Sequence, residues 1–160
     1  MHPSHGAGQV VDTVTRELVD GFKDYYVIQF ANRKMKLFLP VERAEEIGLR
    51  GVIGAKRLNK VWETLRGIPQ NLPSHFRSRK ARIEGMLNSG KAVQVAEAVR
   101  ELTWRKQSRS LCQTDMDLLA RARKRLKSEV MMASQLSSDG AEAMIRDALD
   151  ESMATQQAQA

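Results

Sequence analysis

The chain has 160 residues, 42% of them hydrophobic but only 5% aromatic, which suits one ordinary domain or two small ones built on a modest aliphatic core. No apolar run approaches the roughly 20 residues of a membrane helix, and "MHPSHGAG" lacks the basic and apolar regions of a signal peptide. The single cysteine, Cys112, excludes an internal disulfide framework and fits a reducing cytoplasm. The formal charge of +7 is unevenly spread. Residues 1–53 hold seven basic and seven acidic side chains, residues 54–133 eighteen against seven, and residues 134–160 one against five. A neutral front, a middle at +11 and an end at −4 imply separate jobs. The middle is suited to a polyanion, because Lys and Arg gain from counterion release on phosphate; a merely solvated helical surface has the same composition.

Up to Pro40, short β-rich runs alternate with turn signals. "GQVVDTVTREL" and "DYYVIQF" flank the Asp-Gly step of "VDGF", and the polar "ANRK" separates the second run from "MKLFLP". This spacing predicts a small antiparallel sheet or barrel. In the third run Met35, Leu37 and Leu39 alternate with Lys36 and Phe38, which places Phe38 on the polar side as a partly exposed aromatic unless both faces are covered.

After "EEIGLRGVIG" the period becomes helical. Leu58, Val61, Trp62 and Leu65 form one stripe ending at Gly67, with Trp62 as core. "LPSHFRSRKARIEGMLNSG" opens with Pro73 and a potential cap at Ser74 and stops at Asn88–Gly90. The third helix shows Ala92, Val95, Ala96, Val99 and Leu102 on one face. The fourth starts at a Thr114 or Asp115 cap and carries Leu119, Leu126, Val130 and Ala133. The last, "SDGAEAMIRDALDESM", presents Met144, Ile145, Ala148 and Leu149, and "TQQAQA" is expected to be disordered. The expected fold is α+β: a β module over residues 1–50, about five helices over 54–152 and a disordered tail over 153–160.

Enzymatic constellations are weak. His2 and His5 are spaced to share a metal, but two ligands without nearby Cys or acids make a poor zinc site. Cys112 is a nucleophile only if His75 reaches it. "GAG" at Gly6–Gly8 precedes a strand, the wrong context for cradling phosphate. Carboxylates of the basic half stand at ion-pair spacings, such as Glu97 to Arg100. The pattern is that of a binding protein.

"HPSHGAGQV", "TREL", "DYYVIQF", "MKLFLPVERAEEIGLR" and "VAEAVRELTWRKQSRSL…LLARARKRL" together resemble the CarD-type bacterial transcription regulators, in order and spacing, over roughly residues 2–133. The front half also resembles the polymerase-interacting module of transcription-repair coupling factors, whereas the basic helical half resembles the CarD type alone. The resemblance implies a Tudor-like or SH3-like β module that docks on the β subunit of RNA polymerase, as holoenzyme with its σ factor. It further implies a helical domain that meets promoter DNA at the upstream edge of the melted bubble and stabilises the open complex. Arg16 falls on the family's polymerase-contacting arginine, Lys36, Leu37 and Phe38 on its β-subunit-facing strand, and Phe76 on its minor-groove wedge tryptophan. Three departures stand out. The family's first strand, before its "YP-x-H-G", is missing, which leaves an incomplete barrel, a shortened chain or a late start. Phe38 stands where relatives can carry an arginine. The wedge is Phe rather than Trp.

Phe76 poses the sharpest question. It lies seven residues before Ile83, almost on the stripe of Ile83 and Leu87, and so reads as core. It also sits in a helix's first turn among Arg77, Arg79, Lys80 and Arg82, which reads as an exposed, functional ring. These four cations are too many for one narrow face, and Arg79 and Lys80 are the expected DNA-backbone contacts. The expectation is a monomeric, non-enzymatic regulator, cytoplasmic and nucleoid-associated through polymerase. It needs no cofactor, metal or membrane and binds double-stranded promoter DNA largely without sequence specificity. A basic RNA- or nucleoid-binding protein without a polymerase partner is the alternative, and an accessory module of a repair translocase is a third, disfavoured by the absence of any ATPase motif.

Overall fold

Gly21 of "VDGF" stands in the turn of a hairpin. In the computed structural model, which describes residues 8–19, 21–30, 36–47, 49 and 51–159, Gly21 has φ +92°, a conformation glycine adopts without a Cβ clash. Val19 pairs with Phe22 across it. The three runs of β-branched and aromatic residues become β1 (Gly8–Val19), β2 (Phe22–Phe30) and β3 (Lys36–Pro40), an antiparallel sheet in the order β1-β2-β3. His2 and His5, Met35 and the "ANRK" break lie outside the described residues.

Two irregularities interrupt the β1–β2 ladder. Val11 is inserted between the pairs Val10–Ile28 and Asp12–Val27, and three residues, Arg16 to Leu18, stand opposite Lys23 between Thr15–Asp24 and Val19–Phe22. Such bulges bend a strand and re-aim its side chains. One face of the sheet packs Ile28, Phe30 and Leu39 against Ala44, with Tyr26, Leu37, Ile47 and Leu49 around them. On the other face Tyr25 and Val27 are also buried, so that face is apolar at its centre rather than simply polar. Phe38, the partner of Val27, remains 45% exposed.

The chain divides into two units, Met1–Val52 and Ile53–Ala160. The second consists of α1 (Ala55–Arg66), α2 (Phe76–Asn88), α3 (Ala92–Ser108), α4 (Gln113–Ser134) and α5 (Ser138–Gln159). With the sheet before it, this is the expected α+β class. The core takes Val61, Trp62 and Leu65 from α1, Ile83 and Leu87 from α2, and Val95, Val99 and Leu102 from α3. Leu118, Leu126 and Val130 of α4 and Ala141, Ile145, Leu149 and Met153 of α5 complete it. Aliphatic burial at roughly 25 cal/mol per Å² is the driving term.

Several sequence expectations are corrected here. The last helix runs to Gln159, through residues that the sequence reading assigns to the tail. Its buried stripe begins at Ala141, which leaves Met144, one step off that stripe, exposed. The N-caps are His75 for α2 and Cys112 for α4, neither with a side-chain cap bond, rather than Ser74 and Thr114 or Asp115. Two of the displaced candidates are tied to Arg79 instead, Ser74 through its carbonyl and Asp115 through its carboxylate.

Candidate nucleic-acid interface

Helix α2 begins at Phe76, and the position alone decides the fate of the ring. Ile83 and Leu87, farther along the same stripe, are 0% and 1% exposed, whereas Phe76 is 42% exposed. A first-turn side chain projects beyond the helices that cover the later turns. The core reading of Phe76 therefore fails, and the ring stands at the surface.

The stripe position between Phe76 and Ile83 is filled by Arg79, three residues after one and four before the other. Arg79 is 5% exposed, which corrects the expectation that it points to solvent. Its Nε donates to Asp115 Oδ2 at 3.0 Å, and its Nη1 donates to the carbonyls of Pro73 and Ser74 at 3.1 and 2.8 Å. The guanidinium carbon lies 5.9 Å from the Phe76 ring centroid, within cation–π range. Asp115 is 1% exposed and stands in the first turn of α4, where the helix dipole favours a carboxylate. Arg105 of α3 approaches it from another side, Nε to Oδ2 3.8 Å. Three helices thus meet on one buried carboxylate, and the segment before Phe76 is joined to it through Arg79.

The other cations near the ring remain toward solvent. Arg77 is exposed and has no ion pair among the described residues. Lys80 approaches Glu84 at 3.9 Å and Arg82 approaches Glu97 at 3.8 Å, long and partly exposed pairs that contribute little. Glu97 therefore faces Arg82 rather than Arg100. Arg100 instead holds Glu101 Oε1 through Nε and Nη2 at 3.1 and 2.6 Å, and donates to Thr64 O at 2.8 Å.

The "RARKR" cluster on α4 divides in its roles. Arg121 and Lys124 are exposed, Arg123 faces Glu142 at 3.8 Å, and Arg125 donates to Leu87 O at 2.7 Å. Burial, and then the like charge of Arg121, lowers the Arg125 pKa. The acidic end of the chain is used internally, since Glu142 also faces Lys127 at 3.4 Å and Glu151 binds Arg66 at 2.6 Å. The surplus positive charge is therefore presented by Arg77, Lys80 and Arg82 of α2, with further exposed cations on α1, on α4 and at the end of α3.

On the sheet, Arg16 is exposed in the irregular stretch of β1, and Lys36 and Phe38 are exposed on β3. Leu37 points to the packed face and is half-buried. Val10, Val11, Leu18 and Val19 add apolar surface along β1, each 47–58% exposed, more than a long strand ordinarily leaves uncovered. No metal-binding group of His, Cys, Asp and Glu occurs among the described residues.

Residues 60–146 match the family model of the CarD C-terminal domain, and residues 1–53 match the CarD-like/TRCF RID domain. The chain belongs to the CarD family. CarD proteins are transcription regulators that interact with RNA polymerase. The basic helical unit corresponds to the CarD C-terminal domain and the sheet to the domain shared with the coupling factors.

Sequence reasoning missed Asp115 as an anchor, because its partners come from elements 36 and 10 residues away. The position of Arg79 was available, since i+3 from Phe76 and i−4 from Ile83 is the apolar stripe. Trp104, followed at once by Arg105 and Lys106, was a further signal; it lines a cleft beside Ser74.

Proposed function

We propose that this protein docks on the β subunit of RNA polymerase through its sheet and stabilises the promoter open complex with its helical unit. Arg16, Lys36 and Phe38 form the docking face, and Leu37 supports it from the packed side. The apolar exposure of Phe38 and of β1 makes this a contact dominated by burial more than by charge. Phe76 acts as the wedge at the upstream edge of the bubble, with Arg77, Lys80 and Arg82 on the DNA backbone. Arg79 serves as the buttress behind the ring, not as a phosphate contact.

The observation that carries this reading is Phe76 itself. A large apolar ring, 42% exposed, stands on the first turn of α2 with cations beside it. An apolar wedge inserted at a base step costs a few kcal/mol of unstacking, offset by the contacts it gains, and it hinders closure of the melted region. Phenylalanine can do this, with less contact area than tryptophan and no N–H donor. The cations hold the domain on the duplex through phosphate, so DNA shape rather than base identity sets its placement. The protein works as a monomer on polymerase holoenzyme, without cofactor or enzymatic step, in the cytoplasm at the nucleoid. Co-purification of RNA polymerase with the intact chain, lost in an Arg16→Glu variant that still binds promoter DNA, tests the docking half. A basic nucleic-acid binder without a polymerase partner would retain no polymerase at all.

A further inference from the structure

A cleft of about 400 Å³ lies between residues 70–74 and the last turns of α3. That is a small-ligand volume. Trp104 lines it, half-buried, together with Ser74, Glu101, Arg105, Ser108 and Arg109. Arg109 is exposed and has no ion pair among the described residues. Arg105 has a buried Nε without a hydrogen-bond partner, held only by the 3.8 Å approach to Asp115. Glu101 does not make the cleft acidic. Its Oε1 is neutralised by Arg100 and by the backbone N–H of Gln70 at 2.9 Å, while its Oε2 is buried with no hydrogen-bond partner. The cleft therefore combines an indole with two guanidiniums, over a carboxylate that is already neutralised.

We propose that this cleft takes one unpaired nucleotide of single-stranded DNA, its base against the Trp104 indole and its phosphate on Arg105 and Arg109. Aromatic stacking with backbone cations alongside is the general chemistry of single-strand binding, and it tolerates any base because every base has a π-face. The cleft is tied to the Phe76 ring by covalent and ionic links. Ser74 lines it, Arg79 binds the Ser74 carbonyl, and Arg79 and Arg105 share Asp115. The inference rests on the wedge reading: a base pair opened by Phe76 releases a strand next to a site built to hold one of its nucleotides.

The chain has two tryptophans, Trp62 in the core and Trp104 in the cleft, so intrinsic fluorescence reports on the site. The full chain is titrated with a short mixed-sequence single-stranded DNA oligonucleotide and, separately, with its duplex. The single strand is expected to quench emission saturably and the duplex at most weakly. The Trp104→Phe chain should lose the saturable signal, and exposed Arg109→Glu should weaken binding severalfold without moving the melting temperature. Unchanged emission at oligonucleotide concentrations where anisotropy shows complete binding, or equal quenching by duplex, overturns the proposal. A Phe76→Ala chain separates the two readings. Quenching retained with no loss of open-complex lifetime keeps the cleft and removes the wedge; a shortened lifetime with no quenching in the wild-type chain does the reverse.

Discussion

Arg79 stands directly behind Phe76, its guanidinium carbon 5.9 Å from the ring centroid while its Nε holds Asp115 at 3.0 Å. The exposed ring thereby lies against a buried ion pair, beside groups almost wholly removed from solvent. A mobile aromatic would lose much of its contact energy to ordering; a pre-set one does not.

The first prediction follows from that pair. Removing one partner of a buried ion pair leaves the other charge uncompensated, at about 3–5 kcal/mol. Asp115→Ala and Arg79→Ala are each expected to lower unfolding stability by roughly that amount, measured by denaturant unfolding at constant m-value. A loss under about 1 kcal/mol for both would mean that the pair does not brace the ring.

How far the sequence discloses this arrangement depends on the range of the interaction. The elements were legible, because alternation in "MKLFLP" and the 3.6-residue period of Leu58, Val61, Trp62 and Leu65 are local. The exposure of Phe76 was legible only in part: periodicity placed it with Ile83, and its first-turn position pulled the other way. Arg79 was misread for a different reason. Its stripe position was visible, but its charge argued for solvent, and the carboxylate that makes burial affordable lies on α4. Long-range pairing of that kind leaves no periodic trace. The same holds for Met144 and for the helical course of α5 past Met153, which depend on the neighbours that cover them.

The second prediction separates the cations. Arg77 is exposed and unpaired among the described residues, and as a phosphate contact its removal should lower the salt slope of DNA affinity by about 1, similarly for all sequences. Arg82→Ala should act in the same direction but less, because Glu97 stands 3.8 Å away, and Glu97→Gln should strengthen binding. These effects are read from affinities at several salt concentrations. An Arg77→Ala slope equal to wild type would take this residue off the DNA face.

The third prediction concerns docking. Arg16 and Phe38 are exposed, and surface substitutions usually change stability by under about 0.5 kcal/mol. Arg16→Glu and Phe38→Ala should therefore leave the melting curve and DNA affinity unchanged while removing capture of RNA polymerase. Wild-type capture by both variants would move the docking surface elsewhere on the sheet.

The most direct test of the account is the lifetime of the promoter open complex with Phe76 altered. Phe76 is already 42% exposed, so Phe76→Ala should cost far less than the about 3–5 kcal/mol typical of a buried phenylalanine, and polymerase binding should persist. The account predicts that Phe76→Ala shortens the lifetime to near that of polymerase alone, and that Phe76→Trp preserves or lengthens it. An open complex that decays at the wild-type rate with Phe76→Ala, on a protein that still melts normally and still binds polymerase, would contradict it.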